Sequence, residues 1–235
     1  MKRVWFLILL AFLLWTLMFS PWTAPHVPFW WTMAASAFVL MTLSVIAGHN
    51  DRSVGVLECR SPDDTSACMV HPSGARPLSE LLNSRTPELL KNLLLGLAIA
   101  IALWCVFWVG DKASTWLFDF ARPQVNLIYG MKAGESPWLI SALLLFLIGP
   151  AEEIFWRGYV QRRLSLRYSP NVGFLLATAC YTLVHVASLN FMLIMASMVC
   201  GIAWGGLYRL FPHRFPAIVL SHALWDAAVF VWFPI

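Results

Sequence analysis

Charge is what this sequence has least of. Asp, Glu, Lys and Arg supply 12% of its 235 residues and apolar residues supply 60%. A soluble domain carries about 25% charged and about 45–50% apolar residues, so the composition excludes that class and points to an integral membrane protein. Other absences narrow the chemistry. No CxxC pair is present, which removes a zinc ribbon. No HExxH is present for a zinc protease, and no GxSxG serine sits on a helix. Internal repeats, low-complexity tracts and a basic stripe are also missing, so nothing suggests nucleic acid.

Long apolar runs are what the chain does have. A spanning helix needs about 20 mainly apolar residues. Seven runs qualify: Val4–Phe19, Phe29–Gly48, Leu89–Gly110, Pro137–Val160, Val172–Leu189, Phe191–Phe211 and Pro216–Phe233. The expected fold is an all-α, polytopic bundle with its site inside. The first run resembles a signal peptide, but "SPWTAP" is a poor cleavage site, so an uncleaved helix is expected. Residues 1–48 read as an N-terminal hairpin and 49–88 as a polar loop. Residues 89–136 read as a third helix and outer loop, and 137–235 as the functional core. "TPELLKN" predicts a helix start, with Thr86 as N-cap and Pro87 in the first turn.

With the N-terminus in the cytosol, thirteen of the sixteen Lys and Arg residues fall inside and only Lys112, Arg122 and Lys132 outside. Trp22, Trp30, Trp31, Trp108, Trp138 and Trp232 then lie near the outer ends of their helices, as an interfacial belt. The expected location is a prokaryotic plasma membrane. Cys105, Cys180 and Cys200 read as apolar filler, and Cys59 and Cys68 as free thiols in a cytosolic loop.

Charges inside such helices are costly, at least about 2.5–3.5 kcal/mol each, and usually mark function. The candidates are Glu152, Glu153, Arg157, His185, His222 and Asp226, the last being the sole aspartate within the spans as drawn. Glu153 and Arg157 are four apart and can pair, while Glu152 points about 100° away. Tyr181 with His185, and His222 with Asp226, repeat the spacing of four. At about 1.5 Å per residue, Glu152 lies about 12 Å above Val160 and His185 about 20 Å above Val172; His222 and Asp226 lie about 9 and 15 Å above Pro216. The set is expected in one layer between the midplane and the cytosolic face. Alone, His185 would read as a core histidine, and Glu153–Arg157 as a structural ion pair. The shared height argues for hydrolysis, with a buried carboxylate as general base and histidines nearby. Trp156 and Trp225 read mainly as packing.

Glu152-Glu153-x-x-x-Arg157, then aromatic-x-x-x-His185, then His222-x-x-x-Asp226, resembles the ordered motif set of the CAAX protease and bacteriocin-processing family (CPBP, also called Abi), glutamic-type intramembrane endopeptidases. The resemblance covers about residues 140–230. It implies that Glu152 activates water beside His185, and that Glu153 and Arg157 support the site. It implies that His222 and Asp226 face the oxyanion. Two positions depart from the pattern. Tyr181 stands where Phe is frequent. Asp226 stands where Asn is common, so it is either protonated or only orients His222. The resemblance implies no cofactor and a membrane-anchored protein or peptide-precursor substrate in the lipid bilayer. Two other readings stay open: a divalent-metal protease with Glu152, His185 and His222 as ligands, and a non-enzymatic immunity or scaffold protein or proton-coupled carrier.

Overall fold

The computed structural model describes residues 1–55 and 78–235, with side chains over 1–48 and 87–235. The expectations for Cys59 and Cys68 lie outside them. Among the described residues the chain is helical and carries no strand, as the composition predicts. Seven helices are long and apolar enough to span a membrane.

Helix α1 covers Lys2–Phe19 and α2 Phe29–Gly55, joined by a proline-rich turn. Helix α3 covers Leu78–Leu117, and the short α4 covers Ala121–Gly130. A continuous helix α5 covers Pro137–Arg167. Then come α6 (Pro170–Leu183) and α7 (Phe191–Leu210). Helix α8 (Phe215–Ala227) runs on as a π-helix over Ala228–Trp232. Helix α8 is central, packing along α3 and against α5; α6 joins α5 to α7, and α1 and α2 close the other side.

The expected boundaries move in several places. Helix occupies both ends of the 49–88 segment, since α2 continues to Gly55 and α3 starts at Leu78. Thr86 is therefore not an N-cap. Pro87 sits inside α3, where it removes one backbone hydrogen bond without ending the helix. Helix α3 also runs past Gly110, which brings Asp111 into a span as a second aspartate beside Asp226. Helix α5 reaches Arg167, seven residues beyond Val160. Helix α6 stops at Leu183 instead of reaching Leu189. Leu189 then adopts a left-handed conformation (φ 51°), and the Asn190 side chain accepts from the Leu193 N–H to start α7.

Contacts tie alternate helix ends together. At one end Arg214 pairs with Glu88 at 2.8 Å. At the other, the Trp30 indole donates to the Met131 carbonyl at 3.0 Å, and the Lys132 ammonium to the Phe230 carbonyl at 2.8 Å. Trp30 is thus buried rather than part of an interfacial belt, whereas Trp22, Trp31, Trp108, Trp138 and Trp232 are exposed.

Candidate active site

Helix α5 carries the first motif, and it is not regular. Leu144–Ile148 and Ile154–Gln161 are π-helical, with a single α-helical stretch, Gly149–Glu153, between them. Pro150 has no N–H to donate, which breaks the regular ladder where the wide turn forms. Gly149 lets α8 come close: a Cβ there would lie 2.8 Å from the Cα of Ala223.

That approach brings Glu153 to His222. Glu153 is fully buried, and its Oε1 accepts from Arg157 Nη1 at 2.8 Å and from His222 Nδ1 at 2.7 Å. The His222 ring stacks on Trp204 at 3.8 Å between centroids. Its Nε2 lies 3.4 Å from Asp226 Oδ2, one turn along α8. The Arg157 guanidinium lies over the rings of Tyr181 and Trp204, at 4.8 and 5.8 Å, and donates to the Cys200 carbonyl at 3.4 Å. A buried cation is tolerable only when paired and hydrogen-bonded, and these contacts supply both.

Glu152 turns the other way. Its Oε2 accepts from the Tyr181 hydroxyl at 3.3 Å, its only hydrogen bond among the described residues. Glu152, Tyr181, His185, His222 and Asp226 all line one cavity of about 420 Å³. Trp225 lines it too, whereas Trp156 packs against Phe155 and Tyr181.

His185 is placed differently from the sequence expectation. It follows the end of α6, and its ring folds back on the helix it leaves. Nδ1 lies 2.8 Å from the Tyr181 carbonyl. A carbonyl only accepts, so Nδ1 carries the proton. Nε2 is then a lone pair, and the Trp15 indole donates to it at 3.3 Å. His185 therefore caps a carbonyl that the helix end would leave unpaired, while one edge of the ring borders the cavity.

The height of the cluster also differs. Glu152 lies midway between Pro137 and Arg167, and His185 sits at the far end of its span. Phe19, the last residue of α1, contacts the His185 ring. The group therefore lies at mid-bundle and beyond, toward the end away from Lys2. Counting height from the sequence fails here because α5 does not end at Val160.

Sequence reasoning missed Trp15 and Trp204, which hold the two imidazoles. The available signal was a tryptophan inside an apolar helix, whose N–H must find a partner when buried. The Trp204 indole donates to Ser221 Oγ at 3.1 Å. Asp111 was missed as well. It is buried, pairs through Oδ2 with Arg122, and lines the far part of the cavity.

The proposed metal ligands Glu152, His185 and His222 border one cavity, but their nitrogens are engaged. Trp15 takes the His185 lone pair, and both nitrogens of His222 face carboxylates. Among the described residues, no three His, Cys, Asp or Glu side chains are grouped to hold one ion.

Residues 134–228 match the family described as type II CAAX prenyl endopeptidase Rce1-like. The likeness is confined to this segment. It spans α5 to α8 and contains all three motifs, so the CPBP resemblance is borne out there. The Rce1-like match indicates CAAX-type protease activity within the membrane. No curated protein and no solved structure matches the chain.

Proposed function

We propose that the chain is a glutamic-type intramembrane endopeptidase that cuts membrane-anchored proteins or precursors. The observation that carries this reading is the unequal environment of the two adjacent glutamates. Glu153 is consumed by Arg157 and His222, while Glu152 has one hydroxyl partner and borders the cavity. Glu152 takes a proton from water as the water oxygen attacks the scissile carbonyl. The resulting oxyanion is stabilised from the His222–Asp226 side. Glu152 returns the proton to the leaving amine as the C–N bond breaks. His185, held by Tyr181 and Trp15, forms the wall of the cavity that faces Glu152. The engaged nitrogens of His185 and His222 support a mechanism without a resident metal. A C-terminal sorting helix or a secreted peptide precursor is the proposed substrate, in a prokaryotic plasma membrane.

The test uses the purified protein in liposomes with two probes, a prenylated C-terminal CAAX peptide and a single-span fusion protein. Cleavage of either probe by the parent chain, lost in Glu152→Gln with unchanged thermal stability, is expected. Undiminished cleavage in that variant sinks the assignment, and a chain that cleaves neither probe favours the carrier or scaffold reading. Cleavage abolished by phenanthroline and restored by zinc would sink the metal-free mechanism.

A further inference from the structure

The cavity has a direction. From the catalytic floor it is lined by Phe19 at the end of α1, and by Phe29 and Trp30 at the start of α2. It continues along α3 from Val106 to Phe118, past α4, and along the first half of α7 from Phe191 to Cys200. All of these belong to the end of the bundle away from Lys2. Among the described residues, no lining side chain comes from the end bearing Arg162, Arg167 or Arg214. Val106, Phe118 and Phe191 are about half exposed and form its rim. Helix α3 packs along α8, and α7 packs on α6 and α8, so a crevice separates α3 from α7 beneath α4. The crevice walls are apolar and include Phe107, Met192, Met195 and Val199.

The charge pattern gives this end a side. Among the described residues, the Lys2 end carries Lys2, Arg3, Lys91, Arg162, Arg163, Arg167, Arg209 and Arg214, and the cavity end Lys112, Arg122 and Lys132. Cytosolic segments hold the excess of positive charge. We infer that the catalytic cavity is entered from the non-cytosolic side, through the crevice between α3 and α7 beneath α4, and takes polypeptide from a membrane-anchored substrate on that side. This rests on the proposed protease reading. Continuity with the catalytic floor names the occupant as substrate, and the apolar walls suit a segment leaving the bilayer.

The experiment places single cysteines, Ser114→Cys or Phe118→Cys, in a full-length chain freed of its other cysteines, with Lys2→Cys as a reference for the opposite end. Sealed vesicles of both orientations are treated with a charged, membrane-impermeant maleimide. The thiol introduced by Ser114→Cys or Phe118→Cys should label from the non-cytosolic face only, and that of Lys2→Cys from the cytosolic face only. A bulky maleimide at either rim position should cut cleavage of the single-span fusion at least tenfold. Rim labelling from the cytosolic face overturns the proposal, as does labelling only after detergent, or full cleavage after complete modification. The labelling arms do not depend on activity. If Glu152→Gln still cleaves, the protease assignment fails while the direction of the cavity stands or falls on labelling alone.

Discussion

The Tyr181 hydroxyl donates to Glu152 Oε2 across the gap between α6 and α5 at 3.3 Å. The phenol leaves one carboxyl oxygen for the cavity and fixes the plane of the group. A hydrogen bond to a charged group contributes about 1.5–3 kcal/mol. Tyr181→Phe should therefore lower kcat about tenfold to a hundredfold, with KM and melting temperature nearly unchanged. Steady-state kinetics on the single-span fusion would read this, and an unaltered kcat would remove Tyr181 from the positioning of Glu152.

Glu153 and Arg157 answer a different question, about folding. Both side chains are almost fully buried, at 0% and 3% exposure. Removing one member of such a pair costs about 3–5 kcal/mol, because a charge is stranded. Glu153→Gln should lower thermal stability in detergent markedly, and Glu153→Gln with Arg157→Met should recover part of the loss. A single variant as stable as the parent would show the pair to be dispensable.

His185 has two roles to separate, capping α6 and bordering the cavity. Asparagine places an amide near the position of Nδ1 and lacks Nε2. His185→Asn should keep the cap on α6 but strand the buried Trp15 indole N–H, lowering stability by about 1–3 kcal/mol, and should reduce cleavage by disturbing the wall that faces Glu152. Retained cleavage would reduce His185 to a helix-end cap.

Gly149 sets the distance between α5 and α8. A methyl at this position meets backbone, with Ala223 Cα at 2.8 Å, and cannot be accommodated by a side-chain rotation. Overpacking of this kind costs about 1–3 kcal/mol. Gly149→Ala should lower both the melting temperature and cleavage by drawing Glu153 off His222. Gly158→Ala meets only the tip of Phe215 at 3.4 Å and serves as the control.

The number of spans was legible because burial in lipid demands continuous apolar helix, and that demand is written in composition. The pairing of Glu153 with Arg157 was legible because it is local, four residues along one helix. The partners of the imidazoles were not. Trp15 and His185 are 170 residues apart, and no spacing rule connects them. The end of α6 was hidden for a related reason. Its last residues are as apolar as a continuing helix, and what stops them is a side chain folding back onto Tyr181.

The two π-helical stretches of α5 carry a final consequence. A regular helix advances about 100° per residue, and each widened turn absorbs a residue that a regular turn could not hold. Deleting one residue between Glu153 and Arg157 would turn the guanidinium about 100° away from its place against Glu153 and the Tyr181 ring. An insertion before Gly149 would swing Glu152 and Glu153 together off the cavity and off His222. In this span length is under tighter constraint than spelling: a changed letter perturbs one contact, and a changed count disassembles the site.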